Sequence, residues 1–135
     1  MAAGYSGTPL SKKLGIVEGA RIFLLDAPKN YLEFVAPVPV GAQVVKKIDD
    51  KTDMVHLFAT ERARLVALLG SSLARLRPDA AIWVSWPKKA SKVPTDITED
   101  TIREAALPMG LVDIKVCAVN EVWSGLKLVV RKENR

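Results

Sequence analysis

The sequence predicts one layered α/β domain: a mostly parallel sheet with helices on both faces and an antiparallel hairpin at its C-terminal end. Three observations predict it. Strand-sized apolar runs alternate with stretches of helical period, the pattern of a parallel sheet with crossover helices. The last two runs, Val112–Val119 and Leu126–Arg131, are joined only by Asn120–Gly125, a hairpin-length connection. Finally, 135 residues suffice for one good core and are too few for two ordinary domains, so residues 1–135 form a single unit. A hydrophobic share of 49% beside 26% charged residues is globular and excludes disorder over the whole chain.

In chain order, residues 1–19 read as an arm with one short helix, Pro9 to Leu14, where Pro9 suits a first helical position and Gly15 a stop. Ala20–Ala27 (ARIFLLDA) is almost continuously apolar, as a strand buried on both faces is. Pro28-Lys29-Asn30 breaks it. Tyr31, Leu32, Phe34 and Val35 then line one side of a short helix that Pro37, Pro39 and Gly41 end. Ala42–Ile48 (AQVVKKI) is a less apolar strand, read as a sheet edge where lysines discourage further pairing. Asp49–Asp53 is a polar turn, and Met54–Ala59 (MVHLFA) is a third, buried strand.

Thr60 fits a helix N-cap, with Glu61 in a first turn where the helix dipole favours an acid. Leu65, Leu69, Leu73 and Leu76 recur at spacings of three and four and make one apolar face. Arg75 and Arg77 fall in the last turn and Pro78 stops it. Ala80–Ser85 (AAIWVS) is a fourth buried strand, and the loop Trp86–Thr95 carries Lys88, Lys89 and Lys92. Asp96 or Thr98 opens the next helix, whose core face is Ile102, Ala105, Ala106 and Met109 and whose end is Pro108 and Gly110.

Twenty basic residues against 15 acidic ones leave a charge of +5, a weak lean towards phosphates, nucleic acid or acidic surfaces. A single cysteine, Cys117, excludes an intrachain disulfide, and with a single histidine, His56, it argues against any Cys/His zinc site. MAAGYSGTPLSKK has no apolar stretch suited to a signal peptide, and no run approaches the ~20 residues of a spanning helix. The expectation is a cytoplasmic protein without a membrane partner. The oligomeric state stays open, with the edge near Gln43 and the closing hairpin as places where a second chain would pair.

The order of elements is similar to the class I S-adenosylmethionine-dependent methyltransferase fold, a Rossmann-like sheet that ends in an antiparallel strand. MVHLFATE resembles its fourth strand, LARLRPDAAIWVSWPK its next helix and strand, and Thr98–Arg131 its last helix and closing hairpin. Between Pro28 and Asp53 there is room for one short helix and one strand only, so the resemblance implies a truncated version lacking one strand–helix unit. The chain also resembles an uncharacterised bacterial family of unknown function. GYSGTPLSKKLGI, HLFATER, WVSWPKKASK and LVDIKVCAVNEVWSGLKLVVRK carry that resemblance, which implies no particular activity.

The methyltransferase resemblance implies S-adenosylmethionine, a Gly-rich turn after the first strand and an acid after the second for the ribose hydroxyls. Here the turn reads DAPKN, with no glycine and with Pro28 lacking a backbone donor. Asp49 or Asp50 stands where the acid is needed, though a polar turn uses such residues anyway. The Asn-Pro-Pro-aromatic motif of amino-directed methyltransferases is absent after Ala59. The expectation is therefore a non-catalytic or regulatory domain for a small ligand, a nucleotide or another phosphate-bearing metabolite, with a degenerate methyltransferase-like site. Two alternatives stay open: an atypical S-adenosylmethionine-dependent methyltransferase, and a protein-interaction or nucleic-acid-binding module using the basic loop 88–92.

In open α/β sheets ligands bind beyond the carboxyl ends of the parallel strands, which selects a rim before any residue is favoured. That rim takes Asp26 and Asn30 from the first strand, Thr60 and Glu61 from the third, and Ser85, Trp86, Lys88 and Lys89 from the fourth. The hairpin adds Glu121 and Trp123. Two readings of SWPKKASK stand side by side: lysines gripping phosphate while Trp86 stacks on a ring, or a solvated basic loop with Trp86 packed against the sheet. The acids Glu99 and Asp100 already occupy the start of the following helix, which counts against an anion there. His56 and Cys117 read as core residues, Asp26 and Glu61 also as helix-start residues, and Trp123 also as turn packing. Tyr5-Ser6-Gly7 is read as a lid folding back over the rim.

Overall fold

The structure is a computed structural model that describes residues 8–135. Six strands form one sheet: β1 (Arg21–Leu25), β2 (Gln43–Val45), β3 (Met54–Phe58), β4 (Ala81–Pro87), β5 (Leu111–Ala118) and β6 (Trp123–Val130). Their order is β2-β1-β3-β4-β6-β5. β1 lies parallel to both β2 and β3, and β3 parallel to β4. β6 runs antiparallel between β4 and β5, which makes β5 parallel to β4 and puts the hairpin turn at the carboxyl end of the parallel strands. The doubly wound order 3-2-1-4-5-6 without its outermost strand gives the β2-β1-β3-β4 run. The missing strand–helix unit falls where the sequence left no room for it.

Helices α1 (Leu10–Leu14) and α2 (Tyr31–Val35) cover one face, and α3 (Arg62–Leu73) and α4 (Glu99–Ala106) the other. Alternation along the central strands divides the core between them. Val55, Leu57, Ile82, Val84 and Trp86 pack under α3 and α4 with Leu65, Leu69 and Ile102. Met54, Phe58 and Trp83 pack under α1 and α2 with Ile22, Tyr31 and Val35. Gly15 ends α1 in the left-handed region (φ 81°), and the Trp83 indole N–H donates to the last carbonyl of α1, Leu14 O, at 2.9 Å.

Several boundaries differ from the expectation. β1 is buried only at Ile22, because residues 46–53 cross from β2 to β3 without a helix and leave that end of the sheet thinly covered. In α2, Tyr31 and Val35 are buried and Leu32 is exposed. The N-cap of α3 is Glu61 rather than Thr60, and neither side chain caps it. The Thr60 carbonyl accepts instead from the Thr95 hydroxyl (2.6 Å) and the Asp96 N–H (3.3 Å), while the Asp96 carboxylate accepts the first N–H of α3, that of Arg62, at 2.7 Å. A residue 34 positions away thus supplies the cap.

Helix α3 ends at Leu73, so Arg75 and Arg77 lie beyond its last turn. Arg77 instead fastens the 46–53 crossover, donating to Thr52 O and to the Asp53 and Asp79 carboxylates at 2.7–2.8 Å. Burial pushes the Asp53 carboxyl up, but the Arg21 N–H and the Arg77 guanidinium outweigh it and hold the group below its ordinary value. Thr98, not Asp96, opens α4, through a capping box with Thr101. β4 extends two residues past Ser85, through Trp86 and Pro87, because β6 pairs with it that far. No helix among the described residues is long and apolar enough to cross a membrane.

Candidate functional site

The chain leaves β1 towards β2 on one side and returns to β3 on the other, so the carboxyl ends of β1 and β3 flank a topological switch point, where α/β sheets bind ligands. A crevice of about 190 Å³ opens there, lined by Asp26, Phe58, Ala59, Thr60, Glu61, Arg64 and Trp123. Four of the residues expected at the rim, Asp26, Thr60, Glu61 and Trp123, meet in it. Asn30 and Glu121 meet in a second hollow of about 250 Å³, with Phe34, Asn120 and Val122. Ser85, Trp86, Lys88 and Lys89 line neither hollow. Tyr5-Ser6-Gly7 lies outside the described residues.

Asp26 ends β1 with φ 56°, in the left-handed region that aspartate enters more readily than most residues. Its carboxylate accepts from Arg64 Nε at 2.9 Å and from a terminal guanidinium nitrogen at 3.2 Å, a two-pronged pair that joins the end of β1 to the first turn of α3. Sequence reasoning missed Arg64. The signal was present, because a helix that opens at the end of a strand puts its first turn on the rim. Phe58 forms the floor, and Trp123 meets it edge to face at 5.1 Å. The positive ends of α3 and α4 both face their own acids, Asp96 on the first and Glu99 and Asp100 on the second.

Beneath the floor lies a buried polar chain. His56 is fully buried, with Nδ1 at 2.9 Å from the Tyr31 hydroxyl and Nε2 at 2.8 Å from the Ser85 hydroxyl. Its ring stacks on Phe58 at 4.5 Å. Burial pushes the imidazole down to about 3 and the Tyr31 phenol well up, so both are neutral at ordinary pH. Ser85, expected at the rim, is completely enclosed and serves this chain instead. It has a histidine neighbour, yet no surface that a substrate could reach.

Trp86 points into the core under α3 and α4, 7% exposed. Lys88 is half-buried, its N–H donating to Val122 O at 2.7 Å, and Lys89 and Lys92 are exposed on and beside a short 3₁₀ turn. Burial pushes the half-buried Cys117 thiol up, the opposite of what a nucleophilic thiolate needs. Among the described residues, no group of three His, Cys, Asp or Glu side chains is placed to hold a metal ion.

The strand order, the antiparallel closing strand and a crevice at the switch point define a methyltransferase-type Rossmann-like α/β domain. The chain belongs to the family described as "Protein of unknown function (DUF3052)", whose model matches residues 35–132. No curated protein matches the sequence. Among solved structures it is similar to a SAM-dependent methyltransferase from Aquifex aeolicus, with a TM-score of 0.64 and 15% identity over 89% of this chain and 87% of that one. It is also similar to a putative type 11 methyltransferase from Sulfolobus solfataricus, with a TM-score of 0.58 and 10% identity over 85% and 87%. A third is a putative tRNA (m1A22) methyltransferase from Streptococcus pneumoniae in complex with S-adenosyl-L-methionine, with a TM-score of 0.51 and 10% identity over 89% and 72%. At such identities the likeness is one of fold.

Proposed function

We propose that this is a non-catalytic small-ligand-binding domain whose switch-point crevice takes a nucleoside moiety. The observation that carries the reading is the lining of that crevice, which brings two acids, Asp26 and Glu61, together with one indole, Trp123. Carboxylates accept hydrogen bonds from a vicinal diol, and an indole offers a face or edge to a base. The phosphate half of the sequence expectation has less support. Among the described residues Arg64 is the one cation lining the crevice, it is already paired with Asp26, and both nearby helix N-termini face their own acids.

Intact S-adenosylmethionine fits these residues poorly. The turn after β1 holds Asp26 and Pro28 where close backbone approach asks for glycine, and Pro28 has no N–H to offer. A fold kept while its cofactor site changed accounts for this turn.

Thermal unfolding with adenosine, AMP, ATP, S-adenosylhomocysteine and S-adenosylmethionine tests the reading. At 100 times its dissociation constant a ligand stabilises the fold by ~2.7 kcal/mol. Adenosine is expected to raise Tm, the phosphorylated forms to raise it no further, and Asp26→Asn to lose the shift. Absence of any shift with adenosine overturns the reading. A shift with S-adenosylmethionine alone restores the methyltransferase alternative.

A further inference from the structure

We propose that Arg64 is a displaceable internal occupant of the switch-point crevice, competing with the bound molecule for Asp26 and so setting the affinity of the site. The inference rests on the nucleoside reading and adds its regulation.

Asp26 is the acid best placed to receive a ligand, and it is the acid already taken. Arg64 holds both of its carboxylate oxygens, at 2.9 and 3.2 Å. The pair ties the β1 side of the crevice to the α3 side, and both partners line the hollow. It is therefore inside the site rather than beside it. The pair is also weakly held. The Arg64 and Asp26 side chains are 55% and 43% exposed, and among the described residues no other acid bonds the guanidinium. Exposed ion pairs of this kind are worth little and are screened by salt.

The two other arginine clusters differ in a telling way. Arg77 bonds a carbonyl and two carboxylates, tying the 46–53 crossover to the segment after α3, and Arg103 bonds three carboxylates, tying α4 to β5. Those are structural fasteners. Among the described residues Arg64 has one side-chain partner, at the mouth of a crevice, on a residue whose backbone occupies the left-handed region. When Arg64 swings away from Asp26 the crevice widens and a carboxylate is freed, and among the described residues the guanidinium gives up no other hydrogen bond.

Tryptophan fluorescence gives a readout that needs no ligand. Trp83 and Trp86 are buried, so quenching by acrylamide reports on Trp123, which lines the crevice. Quenching is measured on the full chain, on Arg64→Gln and on Asp26→Asn, with Trp123→Phe as the reference. Adenosine affinity is measured on the same proteins by calorimetry. Quenching is expected to rise in Arg64→Gln and in Asp26→Asn, and in the wild type as salt increases. Adenosine should bind Arg64→Gln more tightly, by up to about fivefold, and Asp26→Asn more weakly. Unchanged quenching in Arg64→Gln overturns the proposal whatever the affinities, as does a loss of adenosine affinity in that variant, because Arg64 is then a contact and not a competitor. Increased quenching with no adenosine binding in any of the proteins overturns the nucleoside reading and, with it, the competition for Asp26, while leaving the closed mouth in place.

Discussion

The two faces of the sheet solve burial differently. Under α3 and α4 the core is aliphatic, apart from Trp86 and the Ser72 hydroxyl. Under α1 and α2 the same strands bury a histidine, a tyrosine, a serine and an indole N–H, all hydrogen-bonded. The first face depends on shape, and its cost of damage is a cavity. The second depends on completeness, because each polar group there is cheap only while its partner is present. The polar face is also the one directly beneath Phe58, the floor of the crevice.

The largest effects should come from one substitution on each face. Leu57→Ala opens a cavity on the aliphatic side and is expected to cost ~2–5 kcal/mol. His56→Leu keeps most of the bulk, yet strands the Tyr31 and Ser85 hydroxyls, at ~1–3 kcal/mol each. Urea unfolding of both variants checks this. Combining His56→Leu with Tyr31→Phe and Ser85→Ala should recover much of the loss, and if it does not, shape governs this face as well.

Acid is the next probe, and the buried histidine of the polar face answers to it first. His56 lies at about 3 in the folded chain and near its ordinary 6.5 when unfolded. Between those values only the unfolded chain binds the proton, so stability falls as pH drops below about 6.5, by ~1.4 kcal/mol per pH unit, and the loss levels off near 3. His56→Gln, which can still donate and accept, should flatten that slope in pH-dependent melts. The depressed carboxyl of Asp53 acts lower: its contribution is present above about 3.9 and is lost as pH falls through its folded value.

Trp83→Phe keeps an aromatic ring but leaves Leu14 O without its donor, and should cost ~1–3 kcal/mol, with α1 loosened first as read by proteolysis. The smallest change is a gain. Ser72→Ala removes the one buried side-chain oxygen among the described residues without a partner, and should leave stability unchanged or raise it by ~1 kcal/mol. A clear loss there shows that the aliphatic face hides a polar contact.

Much of the fold was legible because it rests on local pattern. Met54–Phe58, Ala81–Ser85 and the closing hairpin are short apolar runs bounded by breakers, and their pairing follows from order alone. What stayed hidden depends on partners far along the chain. Thr60 is a good cap by composition, but its carbonyl is claimed by Thr95 and Asp96. Ser85 looked like a rim residue because it stands last in its apolar run, and pairing with β6 carried the strand two residues further and enclosed it. Tyr31, His56 and Ser85 are 25 and 29 residues apart, and nothing local in any of them signals the others. The rim itself was legible from topology, and Arg64 was not, because its role comes from an acid 38 residues earlier.

The helix-free crossover at 46–53 bears on how the molecule breathes. The Arg77 guanidinium fastens this segment through Thr52 and Asp53, beside the Arg21 and Ala81 backbone bonds to Asp53 and the buried Ile48 side chain. β2 is a three-residue edge strand paired with β1, so it can open without disturbing the β3–β4–β6 ladder. Backbone amides should therefore exchange with solvent in a gradient, fastest in β2, slower in β1 and slowest in β3 and β4, as in proteins built of unequal cooperative units. The β1 wall of the crevice sits on the softer side of that gradient, so a molecule bridging β1 and α3 would slow exchange in β2, a strand it never touches.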